Sequence, residues 1–222
     1  MIFAIALSLF LLPNLVLSQT TNQHILCNVG QTAWSKLWLD VVLLIDNSAL
    51  QLKSNFDIMI SQIQEIWQPG IGGPTVGQGP KQTRVAVVTF DTGTKVVANL
   101  NQFNSNADLI SNLQAIRQTS ALTVDGLHAL LTAGNLLVQG AAGNRPNAPN
   151  VIIIYTANWA GRDPCATAYS VHQDSIVLVI LFQNPDAVTL VVPQCVYSPG
   201  EVYNRTDPYL DVNMLTSLSY GS

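Results

Sequence analysis

Charge is scarce in this chain. Only 10% of the 222 residues are charged, with 9 lysines and arginines against 13 acids for a net charge of −4. Nucleic-acid binding needs a basic face that releases counterions from phosphate. The bases here (Lys36, Lys53, Lys81, Arg84, Lys95, Arg117, Arg145, Arg162 and Arg205) are scattered, which argues against that class. Histidine is equally scarce: His24, His128 and His172 lie far apart, none inside a motif. There is no G-x-S-x-G elbow, and Cys165 and His172, seven positions apart, do not form a recognisable ligand pair. No catalytic activity is expected. Repeats, low-complexity tracts and a second domain are also absent. The one glycine-rich stretch, Pro69–Pro80, follows a helix rather than a strand and has no helix start behind it, so it reads as a surface loop and not as a phosphate cradle.

Long apolar runs are few, and the first stands at the start. Met1–Ser18 is uncharged, broken by Pro13-Asn14, with small residues at Val16 and Ser18. It reads as a signal peptide (1–18) cleaved before Gln19, because it is short for a span and no basic stop-transfer flank follows. Residues 19–36 form a polar N-terminal extension. No later run reaches spanning length, and no hydrophobic C-terminal tail suggests a lipid anchor, so the mature protein is expected to be secreted and soluble. The sequon Asn204-Arg205-Thr206 fits glycosylation at Asn204 in an exposed loop.

From residue 37 onward, strands and helices alternate. Leu37–Ile45 is continuously apolar, as a central parallel strand should be. Gln51–Trp67 repeats apolar residues at helical spacing. Arg84–Phe90 and Thr94–Leu100 read as a strand and an edge strand joined by the Asp91-Thr92-Gly93 turn. Helices are expected over Ser105–Arg117 and Val124–Gln139, with Ser105 or Asn106 capping the first. Val151–Thr156 and Ser175–Phe182 are further buried strands, separated by a short helix near Cys165–His172. Asn184–Gln194 is a weak helix or turn, Cys195–Tyr197 a last short strand and Asp207–Ser217 a closing helix. The fold class is α/β: a doubly wound, mostly parallel sheet of about six strands with helices on both faces.

Such a sheet binds ligands beyond the carboxyl ends of its strands. The first strand there runs into Asp46-Asn47-Ser48-Ala49-Leu50, and the later one into Ala157-Asn158. A divalent cation at that edge wants roughly six or more oxygens, mostly charged. Asp46 and Ser48 offer two, whereas Leu50 and Ala157 stand where others belong. Affinity weaker than about millimolar follows. Asp46 has a purely structural alternative, accepting backbone amide hydrogens in its own loop. Asp91, Asp125 and Asp163 are further rim carboxylates.

The D-x-S after an apolar strand resembles the von Willebrand factor type A (VWFA) domain, whose metal-ion-dependent adhesion site has D-x-S-x-S, a threonine from a later loop and an aspartate after the fourth strand. The resemblance matches Asp46 and Ser48, places Leu50 at the second serine and Ala157 at the aspartate, and leaves Ser120 or Thr123 for the threonine; Thr123 is taken. The stretches Thr83–Phe103, VDGLHALLTAG, VIIIYTANWAGRDP and Tyr197-Ser198-Pro199-Gly200 are similar to type A domains of secreted nematode proteins. Many of those carry a C-type lectin domain; none follows here, so lectin-type sugar binding is not carried over. The type A-like domain is assigned to 37–219.

The resemblance implies a non-catalytic, secreted adhesion module with a degenerate metal site (Asp46, Ser48, Thr123) and a binding rim of Asn47, Asp91 and Asn158. It would bind an extracellular protein or carbohydrate, with no cofactor beyond at most weak Mg²⁺ or Mn²⁺. The alternatives are a working cation site with substituted ligands and a small-molecule-binding α/β domain. Cys27 precedes the first strand and Cys195 the last, at the sheet end opposite the site, whereas Cys165 follows the fourth strand. A disulfide needs Cα atoms within about 7 Å, so Cys27–Cys195 is the expected pair, leaving Cys165 free.

Overall fold

The computed structural model describes residues 34–69, 73–138, 140–182, 192–207 and 210–220. Six strands form one sheet: β1 (Asp40–Asp46), β2 (Arg84–Phe90), β3 (Thr94–Ala98), β4 (Asn150–Thr156), β5 (Ser175–Leu181) and β6 (Val202–Asn204). Their order is β3-β2-β1-β4-β5-β6. All neighbours are parallel except β3, which returns antiparallel along β2 through the tight turn at Asp91–Gly93. This is the expected doubly wound sheet, and its winding reverses between β1 and β4.

Every residue of β1 is buried, because helices cover both faces. Alternation divides the strand residues cleanly. Val41, Leu43 and Ile45 join Val87, Ile153 and Ile180 in one apolar cluster. That cluster is sealed by α1 (Lys53–Ile66), α2 (Asn106–Ala115) and the closing helix α5 (Leu210–Tyr220). Val42 and Leu44 join Val88, Ile154 and Val179 in the other, under α3 (Gly126–Val138) and α4 (Cys165–Val171). Phe56, Met59, Ile60, Ile63 and Ile66 make the buried stripe of α1 at the spacing the sequence shows. Ser105 caps α2, its side chain accepting from the Asp108 amide.

Two expectations are corrected. Cys195–Tyr197 is not a strand: Gln194–Val196 is a short 3-10 turn, and the last strand follows it at Val202–Asn204. The disulfide joins Cys165 to Cys195, with Cα atoms 5.4 Å apart, so Cys195 is not paired with Cys27 and Cys165 is not free. The expectation sorted cysteines by sheet end and neglected the helix between. The turn at Cys195 lies along α4, where its carbonyl meets His172 Nε2 at 3.1 Å while its sulfur reaches Cys165 at the helix start. A helix this short spans only about 10 Å, so one turn packed beside it touches both ends. Cys27, the signal peptide (1–18) and most of Asn184–Gln194 lie outside the described residues.

Candidate functional site

The carboxyl ends of β1 and β4 meet at the point where the winding reverses. Asp46, the last residue of β1, is wholly buried. Its Oδ1 accepts the Ser48 amide at 3.0 Å. Its Oδ2 faces the Thr156 hydroxyl at 3.0 Å and the Ala157 amide at 3.4 Å. Thr156, the last residue of β4, also accepts from the Asn158 amide at 3.1 Å, and its one hydroxyl hydrogen is spent on Asp46. The carboxyl of one strand end is therefore clasped by the other, across the crevice an open α/β sheet uses for ligands. Burial raises the Asp46 pKa above its ordinary 3.8, opposed by the hydrogen bonds from Ser48, Thr156 and Ala157.

The loop after β1 is braced from behind by the segment leaving α2. The Thr119 amide and hydroxyl both donate to the Asn47 carbonyl, at 2.7 and 3.2 Å. Gln118 donates to the carbonyls of Ser48 and Gln51 at 2.9 and 2.8 Å. Ala49 donates to Ala121 at 2.8 Å, and Gln51 reaches back to the Asp46 carbonyl at 2.9 Å. Asn47, expected on the rim, is mostly buried, its amide side chain held by the Arg117 carbonyl at 3.2 Å.

The remaining expected residues are placed as follows. Ser48 is buried beside Asp46, with its hydroxyl facing the Leu50 amide at 3.4 Å. Thr123 is exposed, and no hydrogen bond of the described residues ties it to Asp46 or Ser48. Asp91 is brought to Asp125, whose amide donates to the Asp91 carbonyl at 2.7 Å, while the Asp125 carboxylate caps α3 through the His128 amide. Asn158 and Trp159 follow Thr156 on the same rim. The Trp159 ring lies against Gly126, where an added Cβ would stand 2.4 Å from it; only glycine admits that approach, which docks the β4–α4 loop on the start of α3. Asp163 belongs elsewhere, accepting the Cys165 amide at 3.0 Å beside the disulfide. Asn204 ends β6, is exposed, and accepts from the Thr206 amide and hydroxyl at 3.2 and 3.1 Å.

Thr156, Gln118 and Gln51 were missed from sequence. Thr156 carried a signal, since it ends an apolar strand on a polar residue just as Asp46 does. The two glutamines carried none, because each acts through a carbonyl remote from or offset along the chain. Asp46, Ser48 and the rim offer hydrogen-bonding groups but no convergent acid–base pair next to a nucleophile.

Among the described residues no helix is long and apolar enough to cross a membrane. The chain is 27% identical over 78 residues to integrin alpha-2 of Mus musculus, an alignment covering 35% of this chain and 7% of that protein. Solved structures of proximal thread matrix protein 1 from the mussel byssus superpose with a TM-score of 0.68 at 20% identity. They match 82% of this chain and 47% of the mussel protein, so the chain spans less than half of either relative. One of those mussel structures has a zinc-occupied MIDAS motif. The family model for the von Willebrand factor type A domain matches residues 40–207, and the chain belongs to that family.

Proposed function

We propose that this chain is a secreted, non-catalytic interaction module that binds an extracellular protein or glycan through the loops at the carboxyl edge of its sheet, without a tightly held cation. The observation that carries this reading is the state of Asp46. A hard cation would need its carboxylate and several more oxygens turned to one point. Instead Asp46 and Ser48 are both fully enclosed, both Asp46 oxygens accept hydrogen bonds from protein groups, and Leu50 and Ala157 contribute no side-chain oxygen. Thr123 is exposed, whereas Asp46 and Ser48 are enclosed. The residues present do not fit a resident divalent ion. A glycan on the exposed Asn204 belongs to the same reading, and an unchanged mass after peptide N-glycosidase treatment of the secreted protein would remove it.

The test is a thermal melt of the mature protein, stripped with EDTA and titrated with Mg²⁺, Mn²⁺ and Ca²⁺. A ligand of the native state raises the melting temperature with its concentration by mass action. No saturable shift up to several millimolar metal is the expected result. A saturable shift abolished by Asp46→Ala would overturn the metal-free reading in favour of a cation site with substituted ligands.

A further inference from the structure

The Asp46 side of the carboxyl edge is closed, but the opposite face of the same edge is open. Val42 and Leu44 face α3 and α4, so alternation sends Asp46 to that side as well. Thr89, between Val88 and Phe90 of the same cluster, faces the other way, toward α2. There a groove of about 410 Å³ runs between β3 and the C-terminal end of α2. Asn47 and Thr119 close one end of it, and Val97 and Ile116 supply apolar lining.

The ionised side chains that line the groove are all basic. Lys95 and Arg117 are its ionised side chains, both exposed, and no acid lines it, in a chain with 13 acids and 9 bases. Lys95 sits in the ladder opposite Thr89, and its ammonium has no hydrogen-bond or ion-pair partner among the described residues. Arg117 spends only Nη1, donating to the carbonyls of Gln114 and Ile116 at 2.5 and 3.0 Å. Its Nε and Nη2 hydrogens remain available, and Thr89 and Asn112 add neutral polar groups beside it.

We propose that this groove binds an acidic peptide segment, with Arg117 and Lys95 supplying positive charge from side chains rather than from a metal. A guanidinium fork matches a carboxylate with two parallel hydrogen bonds, and a lysine adds a second, adaptable charge. The neighbouring β3 is the edge of the sheet among the described residues, which place no strand against its outer backbone groups. An extended chain can pair there while alternate side chains turn into the groove. A peptide uses the apolar lining as well; a sulfated sugar would ask for a denser run of bases. The proposal rests on the carboxyl edge being the binding edge, but it does not depend on whether Asp46 holds a cation.

The experiment titrates the full secreted protein, in EDTA, against fluorescein-labelled hexaglutamate and follows anisotropy. Saturable binding that weakens with added salt is expected, as is its loss by about tenfold or more in Lys95→Glu and in Arg117→Glu. Lys81→Glu, a charge reversal outside the groove, should leave it unchanged. Both groove side chains are exposed, and melting curves check the variants; should a reversal destabilise the protein, Lys95→Gln and Arg117→Gln carry the same comparison. No saturable binding at low salt overturns the proposal. So does an equal loss in Lys81→Glu, which means bulk charge, or preferential binding of a heparin oligosaccharide at the same residues. Such a failure leaves the metal-free reading of Asp46 standing, because the melt with metals tests that separately.

Discussion

Asp46 closes the central strand with a carboxyl that burial pushes upward in pKa and hydrogen bonds from Ser48, Thr156 and Ala157 pull down, burial being the larger effect. The native state therefore holds the Asp46 proton more tightly than the unfolded chain does. That preference adds stability below the ordinary value of 3.8 and loses it as pH rises through the raised native value. Asp46→Asn keeps an acceptor for the Ser48 amide and removes the ionisation. In EDTA, its melting temperature relative to wild type should climb as pH goes from about 4 to about 8. Parallel profiles would show that Asp46 ionises in the fold at no cost. At this scale the sequence was half legible. Asp46 and Ser48 stood out because polar residues at the end of an apolar strand need a reason. What satisfies them did not, because the Thr156 hydroxyl lies 110 positions away.

Among the elements, the strands and long helices were readable because their signal is local: period two with both faces apolar, or a stripe at 3.6. The segment 194–204 was not. Cys195-Val196-Tyr197 is a short apolar run with no periodicity to separate turn from strand, and the Ser198-Pro199-Gly200 corner places the strand after it. The Cys165–Cys195 bridge, with a sequence separation of 30, ties the start of α4 to that turn. Closing a loop of that length restricts the unfolded chain by about 3–4 kcal/mol. A Cys165→Ser/Cys195→Ser double variant should lose stability of that order in urea unfolding, and peptide mapping without reductant should recover the 165–195 crosslink. A crosslink from Cys195 to Cys27 would contradict the structure.

Across the whole molecule, the two edges of the sheet are built differently. The amino edge is locked by Arg145, whose Nε and Nη2 hold the wholly buried Asp40 at 2.8 and 2.6 Å. The same guanidinium donates to the Gln82 and Leu39 carbonyls and lies 5.4 Å from the Trp38 ring. Three strands' entries are thus fastened at one point. Removing one member of a buried pair leaves a charge unanswered and costs about 3–5 kcal/mol. Arg145→Ala should lower the unfolding free energy by that amount in urea while hexaglutamate binding, per folded molecule, stays as in wild type. A loss below about 1 kcal/mol would mean that the Arg145 amide and the Asn144 side chain, which also donate to Asp40, suffice without the guanidinium.

The sequence by itself determined the class of fold, the polar residues Asp46 and Ser48 at the end of its central strand, and the lack of side-chain oxygens at Leu50 and Ala157. Each of these is written in neighbouring residues: the periods of burial, the polar residue ending an apolar run, the identity of a side chain. Only the tertiary structure decided that Thr156 and Ala157 meet Asp46, that Cys195 chooses Cys165, and that Thr89, Lys95 and Arg117 gather into one basic groove. Those outcomes depend on which distant segments pack side by side. Cross-strand and helix-to-turn contacts leave no trace in the local spacing of residues, because they arise from burying the two apolar faces of the sheet together.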